Sequence, residues 1–126
     1  MTVFELTRRL IDINSITPNE FDVGEYLFSY LSDLASRTGG HVERMPVEER
    51  RFNVLAFWGE PRVTMSTHLD TVPPFIASSE DDEFVWGRGA CDVKGIIASM
   101  IFAAEQMLHD GIRNFAHFFV HESCGF

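Results

Sequence analysis

The sequence predicts an α/β fold, helices packed on a sheet, on three observations. Residues 1–38 carry apolar side chains at helical spacing, and residues 41–70 change to short apolar runs separated by turns. Residues 93–121 then hold a long helical stripe followed by one more apolar run. Two helices, several strands, a helix and a strand make a layered pattern with helices on a sheet. At 126 residues the chain suits one domain with a core, so 1–126 is read as a single unit.

In the first helix Phe4, Leu6, Leu10, Ile11 and Ile13 cluster on one side, and the pattern fades at "NSITPNE", which supplies turn chemistry. A second helix is expected from near Asn19 or Glu20. Val23, Tyr26, Leu27, Tyr30, Leu31 and Leu34 follow at spacings of three and four, and Gly39-Gly40 stops it. "HVERMPV", "FNVLAFW" and "RVTMSTHLD" read as strands, the last two parted by the turn "GEPR". "VPPFIASSEDDEFVWGRGACD", with prolines, glycines and an acidic cluster, reads as a loop. "VKGIIASMIFAAEQMLHDG" puts Ile97, Met100, Ile101, Ala104, Met107 and Leu108 on one stripe closed by Gly111, and "NFAHFFVHE" reads as a buried strand. There is no internal repeat, linker or low-complexity tract.

Composition narrows the function classes. A 45% hydrophobic fraction with 12 Phe argues for a packed interior rather than disorder. A formal charge of −9 without any basic stripe argues against nucleic acid and against an anionic membrane surface. The N-terminus, interrupted by Glu5, Arg8, Arg9 and Asp12, reads as an amphipathic helix and not a signal peptide. No apolar run approaches the roughly 20 residues of a membrane span. Cys91 and Cys124 form no disulfide framework, so a reducing cytoplasm is the expected location.

Three short constellations carry chemistry. In "MSTHLDTVPPF", His68 and Asp70 lie two apart at the end of a strand, hence on one face at its carboxyl edge, where open α/β sheets place ligands. An imidazole there suits zinc, and a carboxylate on its other nitrogen sets the tautomer. The plainer reading of a bare His-x-Asp is a hydrogen-bonded pair without metal. "GRGACDVKG" fails as a phosphate loop, because its Lys lacks the preceding Gly and the following Ser or Thr. It fails as a dinucleotide fingerprint too, since Asp92 stands where the third Gly belongs. What remains is a glycine-rich turn that delivers Asp92 beside a helix N-terminus, where a helix cap is the simpler role. Cys91 is expected to be a small buried neighbour. In "FFVHES", Glu122 follows an apolar strand and should emerge at a sheet edge as a base for a metal-activated water, or else as a solvated terminal acid. His117 and His121 alternate onto one strand face, with Glu122 on the other.

In order, these pieces resemble the M20 family of metallopeptidases and N-acyl-amino-acid deacylases, which includes acetylornithine deacetylase and succinyl-diaminopimelate desuccinylase. "STHLDTVPP" and "GRGACDVKG" are the specific signatures, and the likeness covers essentially the whole chain as the N-terminal part of the catalytic domain. The resemblance implies a mixed β-sheet flanked by helices, as in a zinc-exopeptidase catalytic domain interrupted by a lid or dimerisation domain. It implies a two-zinc site, with cobalt or manganese suited to the same donors. By position, His68 resembles a ligand of one metal, Asp92 the carboxylate bridging both, Asp70 the residue orienting His68, and Glu122 the general base. The implied reaction is hydrolysis of an amide in an N-acyl amino acid or peptide. Homodimerisation would require the dimerisation domain.

The sequence departs from the family after Glu122, where Ser123 replaces a second acid. His121 is a candidate stand-in, though an ideal strand points it away from Glu122. The family's remaining acidic and histidine ligands and its lid lie beyond the equivalent of Phe126. The expectation is therefore a truncated piece, inactive by itself, with "ESCGF" as the mark of a frameshift or early stop. The competing readings are a non-catalytic interaction fragment exposing a sheet edge and apolar face, and a small metal-binding module using His68, Asp92, His117 and His121.

Overall fold

The structure is a computed structural model, and it describes residues 1–122. Helix α1 (Val3–Asp12) opens with a reciprocal cap: Glu5 N donates to Thr2 Oγ1 at 3.1 Å and Thr2 N donates to Glu5 Oε2 at 2.9 Å. It buries Leu6, Thr7, Leu10 and Ile11. Phe4, expected on that buried side, is instead 62% exposed, because the stripe is set one step round the helix from it. Helix α2 (Phe21–Thr38) follows at the predicted place, buries Val23, Leu27, Leu31 and Leu34, and ends on Gly39 at φ 78°. That left-handed conformation is natural for glycine.

Four strands form the main sheet: β1 (His41–Glu48), β2 (Arg51–Trp58), β3 (Val63–His68) and β6 (Phe115–Val120), ordered β1-β2-β6-β3. The first two pairings are antiparallel and β6–β3 is parallel, so the sheet is mixed. The parallel pair needs a crossover, and helix α3 (Gly95–His109) lies along it. The segment expected as loop holds a small hairpin, β4 (Ser79–Glu80) with β5 (Val85–Trp86). Asp81 makes that hairpin by accepting from the backbone N–H of both Glu83 and Phe84, each at 2.8 Å.

Register sorts the two sheet faces. Val54 pairs with Phe119, Ala56 with His117 and Trp58 with Phe115, so all six share one face. That face meets Leu6, Leu10, Leu27, Leu31, Ile97, Ile101 and Leu108 from all three helices in a common core. Leu55, Phe57, Phe118 and Val120 lie on the other face and are half-buried. Among the described residues no helix is long and apolar enough to cross a membrane.

Candidate metal and peptide site

The site is built where β3 ends. His68 pairs with Val120 in the last rung of the parallel ladder, and Leu69 N continues it by donating to Val120 O at 2.8 Å. The segment after α1 then grips the chain beyond His68. Ser15 Oγ donates to Leu69 O at 2.8 Å, Thr71 N to Ser15 O at 3.0 Å, and Thr17 Oγ1 to Asp70 Oδ2 at 2.9 Å. Asp70 is buried, and its Oδ1 lies 2.9 Å from His68 Nδ1. A proton on Nδ1 donated to Asp70 leaves the Nε2 lone pair facing outward.

Asp92 reaches the same atom from the opposite wall, its Oδ1 2.9 Å from His68 Nε2. It rides on a single wide turn, Ala90–Lys94, between Gly89 and α3, where its own backbone (φ −124°, ψ 83°) is extended. Helix α3 begins without a side-chain cap, so its start does not use the Asp92 carboxylate as a capping residue. Cys91, expected to be buried, is exposed, because the same extended step turns it outward. Lys94 anchors the turn from inside. It is 1% exposed and its Nζ donates to Leu10 O at 2.7 Å and Ile13 O at 3.2 Å, at the negative end of α1. Burial lowers its ammonium pKa to about 8.

Gly89 makes the turn tight. At φ 87° a Cβ would lie 2.6 Å from Thr71 Cγ2. Gly89→Ala is expected to cost about 1–2 kcal/mol of stability and to part Asp92 from His68. Chemical denaturation and the His68 imidazole NMR signals check both; unchanged imidazole shifts would count against this account of the turn.

The donor chemistry fits a divalent metal. With Nδ1–H committed to Asp70, a nitrogen lone pair and a carboxylate oxygen face each other across 2.9 Å, and only a proton or a cation between them makes that contact favourable. Imidazole nitrogen with carboxylate oxygen is a donor pair that zinc, cobalt and manganese accept. Among the described residues no group of three or more His, Cys, Asp and Glu side chains converges for a metal.

Glu122 lies at the same edge of the sheet, two residues past the rung that His68 shares with Val120. Its contacts include Arg51 Nη2 at 3.1 Å and His121 Nε2 at 3.6 Å. His121 and Glu122, expected on opposite faces, are therefore neighbours, because strand alternation ends at Val120 and Asn53 Oδ1 holds His121 by its N–H at 2.9 Å. Arg51 is itself held by buried Glu20 at 2.6 Å, a hydrogen bond that pushes the guanidinium pKa up. His117 does not join the site. It sits at 0% exposure on the helix-covered face between Phe115 and Phe119, which removes it from the four-residue metal module considered from sequence. Ser123, and with it the question of a missing acid, lies outside the described residues.

A cavity of about 420 Å³ opens over the pair, its lining including His68, Asp70 and Asp92 together with Val72, Trp86 and Arg88. Lys94, Thr17 and Trp86 were not singled out in the sequence. A lysine entering an otherwise apolar helix is a signal for the first; nothing local marks the other two.

Comparison with known proteins adds a family match, two relatives and two solved structures. Residues 64–122 match the model of peptidase family M20/M25/M40. A probable carboxypeptidase of Emericella nidulans is 38% identical over 115 residues, covering 82% of this chain and 26% of that protein. A peptidase M20 domain-containing protein of Schizosaccharomyces pombe is 34% identical, covering 86% and 28%. An M20 family metallo-carboxypeptidase from Sulfolobus solfataricus shares the fold with TM-score 0.75 at 16% identity, over 94% of this chain and 30% of that one. A Staphylococcus aureus tripeptidase aligns with TM-score 0.68 at 20% identity, over 93% and 34%. The chain thus spans between a quarter and about a third of the length of the proteins it resembles.

Proposed function

We propose, from the premise that this chain belongs to peptidase family M20/M25/M40, that it carries part of the metal site of a peptide-bond hydrolase, as the N-terminal portion of a catalytic domain. The observation that carries the reading is His68 held between Asp70 on Nδ1 and Asp92 on Nε2, both at 2.9 Å. His68 Nε2 and Asp92 Oδ1 are the atoms that would hold a divalent metal, zinc first, and the family resemblance would have Asp92 shared with a second. Such a metal supplies the Lewis acidity that polarises an amide carbonyl and acidifies water.

The remaining steps belong to the chain's own residues. Asp70 keeps the His68 proton on Nδ1 and so keeps Nε2 available as a ligand. Glu122 accepts the proton that water loses and returns it to the leaving amine. Hydrolysis of a C-terminal peptide bond is favoured over release of an N-acyl group, because the relatives' names are those of carboxypeptidases. A reducing cytoplasm suits the exposed thiol of Cys91.

Zinc titration of the 15N-labelled chain tests the reading. His68 and Asp92 signals are expected to respond in wild type and to lose that response in His68→Ala. Asp70→Asn is expected to weaken the metal about 10–100-fold. A catalytic zinc takes three protein ligands plus water, so these 126 residues alone are expected to release no amino acid from peptides or N-acetyl amino acids. Turnover that His68→Ala abolishes would overturn that part, and zinc binding indifferent to His68→Ala would overturn the site.

A further inference from the structure

We propose that Trp86 and Val72 form an apolar subsite that selects substrates by an apolar side chain beside the bond to be cleaved. This rests on the peptide-hydrolase reading of the His68–Asp92 cavity and names the substrate class that the cavity takes.

Trp86 is 54% exposed and Val72 62% exposed, yet both line the same cavity as His68 and Asp92. An exposed indole ordinarily swings among rotamers, and this one is held. Its Nε1 donates to Asp81 Oδ2 at 3.2 Å and its ring lies 5.4 Å from that of Phe84. Asp81 is locked in turn by the two backbone N–H groups of the hairpin. The Val72 side of the wall is tied as well. Arg88 Nε donates to Pro74 O at 2.9 Å, and Arg88 N donates to Ile76 O at 3.0 Å. A hydrophobic surface that is already ordered gives up little entropy when a ligand covers it, which is how rigid aromatics serve recognition.

The chemistry of the wall sets the class of side chain. The indole face, Val72 and Val85 offer a polar side chain no hydrogen-bond partner, so such a side chain loses its water without replacement. Asp81, Asp82 and Glu83 on the adjoining hairpin are exposed and outnumber Arg88, the arginine of the cavity lining, so their charge repels an acidic side chain. An apolar residue meets neither cost.

The test uses the two indoles of the chain, Trp58 and Trp86, as separate 15N NMR reporters, assigned with Trp86→Phe. N-acetyl-leucine and N-acetyl-serine are titrated in turn, with EDTA and again with zinc. The Trp86 indole signal is expected to move and that of buried Trp58 to stay, with the leucine probe binding about tenfold tighter than the serine probe. Trp86→Ala is expected to bring that ratio near one while the His68 response to zinc persists. Equal affinities in wild type, no binding of either probe, or a stationary Trp86 signal would overturn the subsite. Selectivity that survives in a chain whose zinc binding ignores His68 would uphold the subsite and overturn the metal reading instead.

Discussion

Arg51→Met is expected to lower stability by about 3–5 kcal/mol, the cost of leaving a buried charge without its partner. Arg51 Nη2 lies 2.6 Å from Glu20 Oε1 and Nε 3.3 Å from Oε2, so the guanidinium meets the carboxylate with two nitrogens. Glu20 is only 2% exposed, and no water replaces the fork that is removed. A domain of this size has about 5–15 kcal/mol in all, so the melting temperature should fall by roughly 10–20 °C. The charge itself can be isolated. The double variant Arg51→Met/Glu20→Leu should recover most of the loss, because neither buried partner of that pair then remains unpaired. A double variant as unstable as the single one would show that the arginine acts through packing alone.

His117→Leu is expected to stabilise the protein and to flatten its response to acid. His117 is wholly enclosed, paired across the ladder with Ala56 and Met65, and neither ring nitrogen has a hydrogen-bond partner among the described residues. An unsatisfied buried polar group costs about 1–3 kcal/mol, which an apolar side chain of similar volume avoids. Burial also lowers the His117 pKa to about 4 from the 6.5 of a free imidazole. Above pH 6.5 both folded and unfolded chains hold it neutral, and it adds no pH dependence. Between pH 6.5 and 4 the unfolded chain takes up a proton that the folded one refuses, so stability falls by about 3 kcal/mol across that window. Urea midpoints at pH 7.5 and 4.5 check both effects. The wild type should lose about 3 kcal/mol more than the variant on acidification, and parallel losses would sink the assignment.

The helices were legible because their burial is periodic along the chain. Val23, Leu27, Leu31 and Leu34 read as one stripe and bury as one stripe. The strands were legible because apolar runs are bounded by turn residues, and the end of β3 is legible for the same reason, which puts His68 and Asp70 at a carboxyl edge. Phe4 was misjudged since it lies at the margin of its stripe, where helical spacing alone does not separate buried from exposed. Cys91 was misjudged since one extended residue, Asp92, reverses which way its neighbours face. The Ser79–Trp86 hairpin read as loop because two-residue strands carry no periodicity; Asp81's hydrogen bonds make it.

By itself the sequence determined the α/β class, the order of its elements, and the motifs that carry the resemblance to family M20: each is a matter of local spacing and of chemistry carried by single side chains. Only the tertiary structure decided that Asp70 and Asp92 meet opposite nitrogens of His68, that Lys94 pins the Asp92 turn to α1, that Arg51 links Glu20 to Glu122, and that His117 is sealed in the core. Apart from Asp70 on His68, two positions away, those contacts join residues from 24 to 84 positions apart, or are set by which sheet face the helices cover. Short-range periodicity carries no information about separations of that kind; packing does.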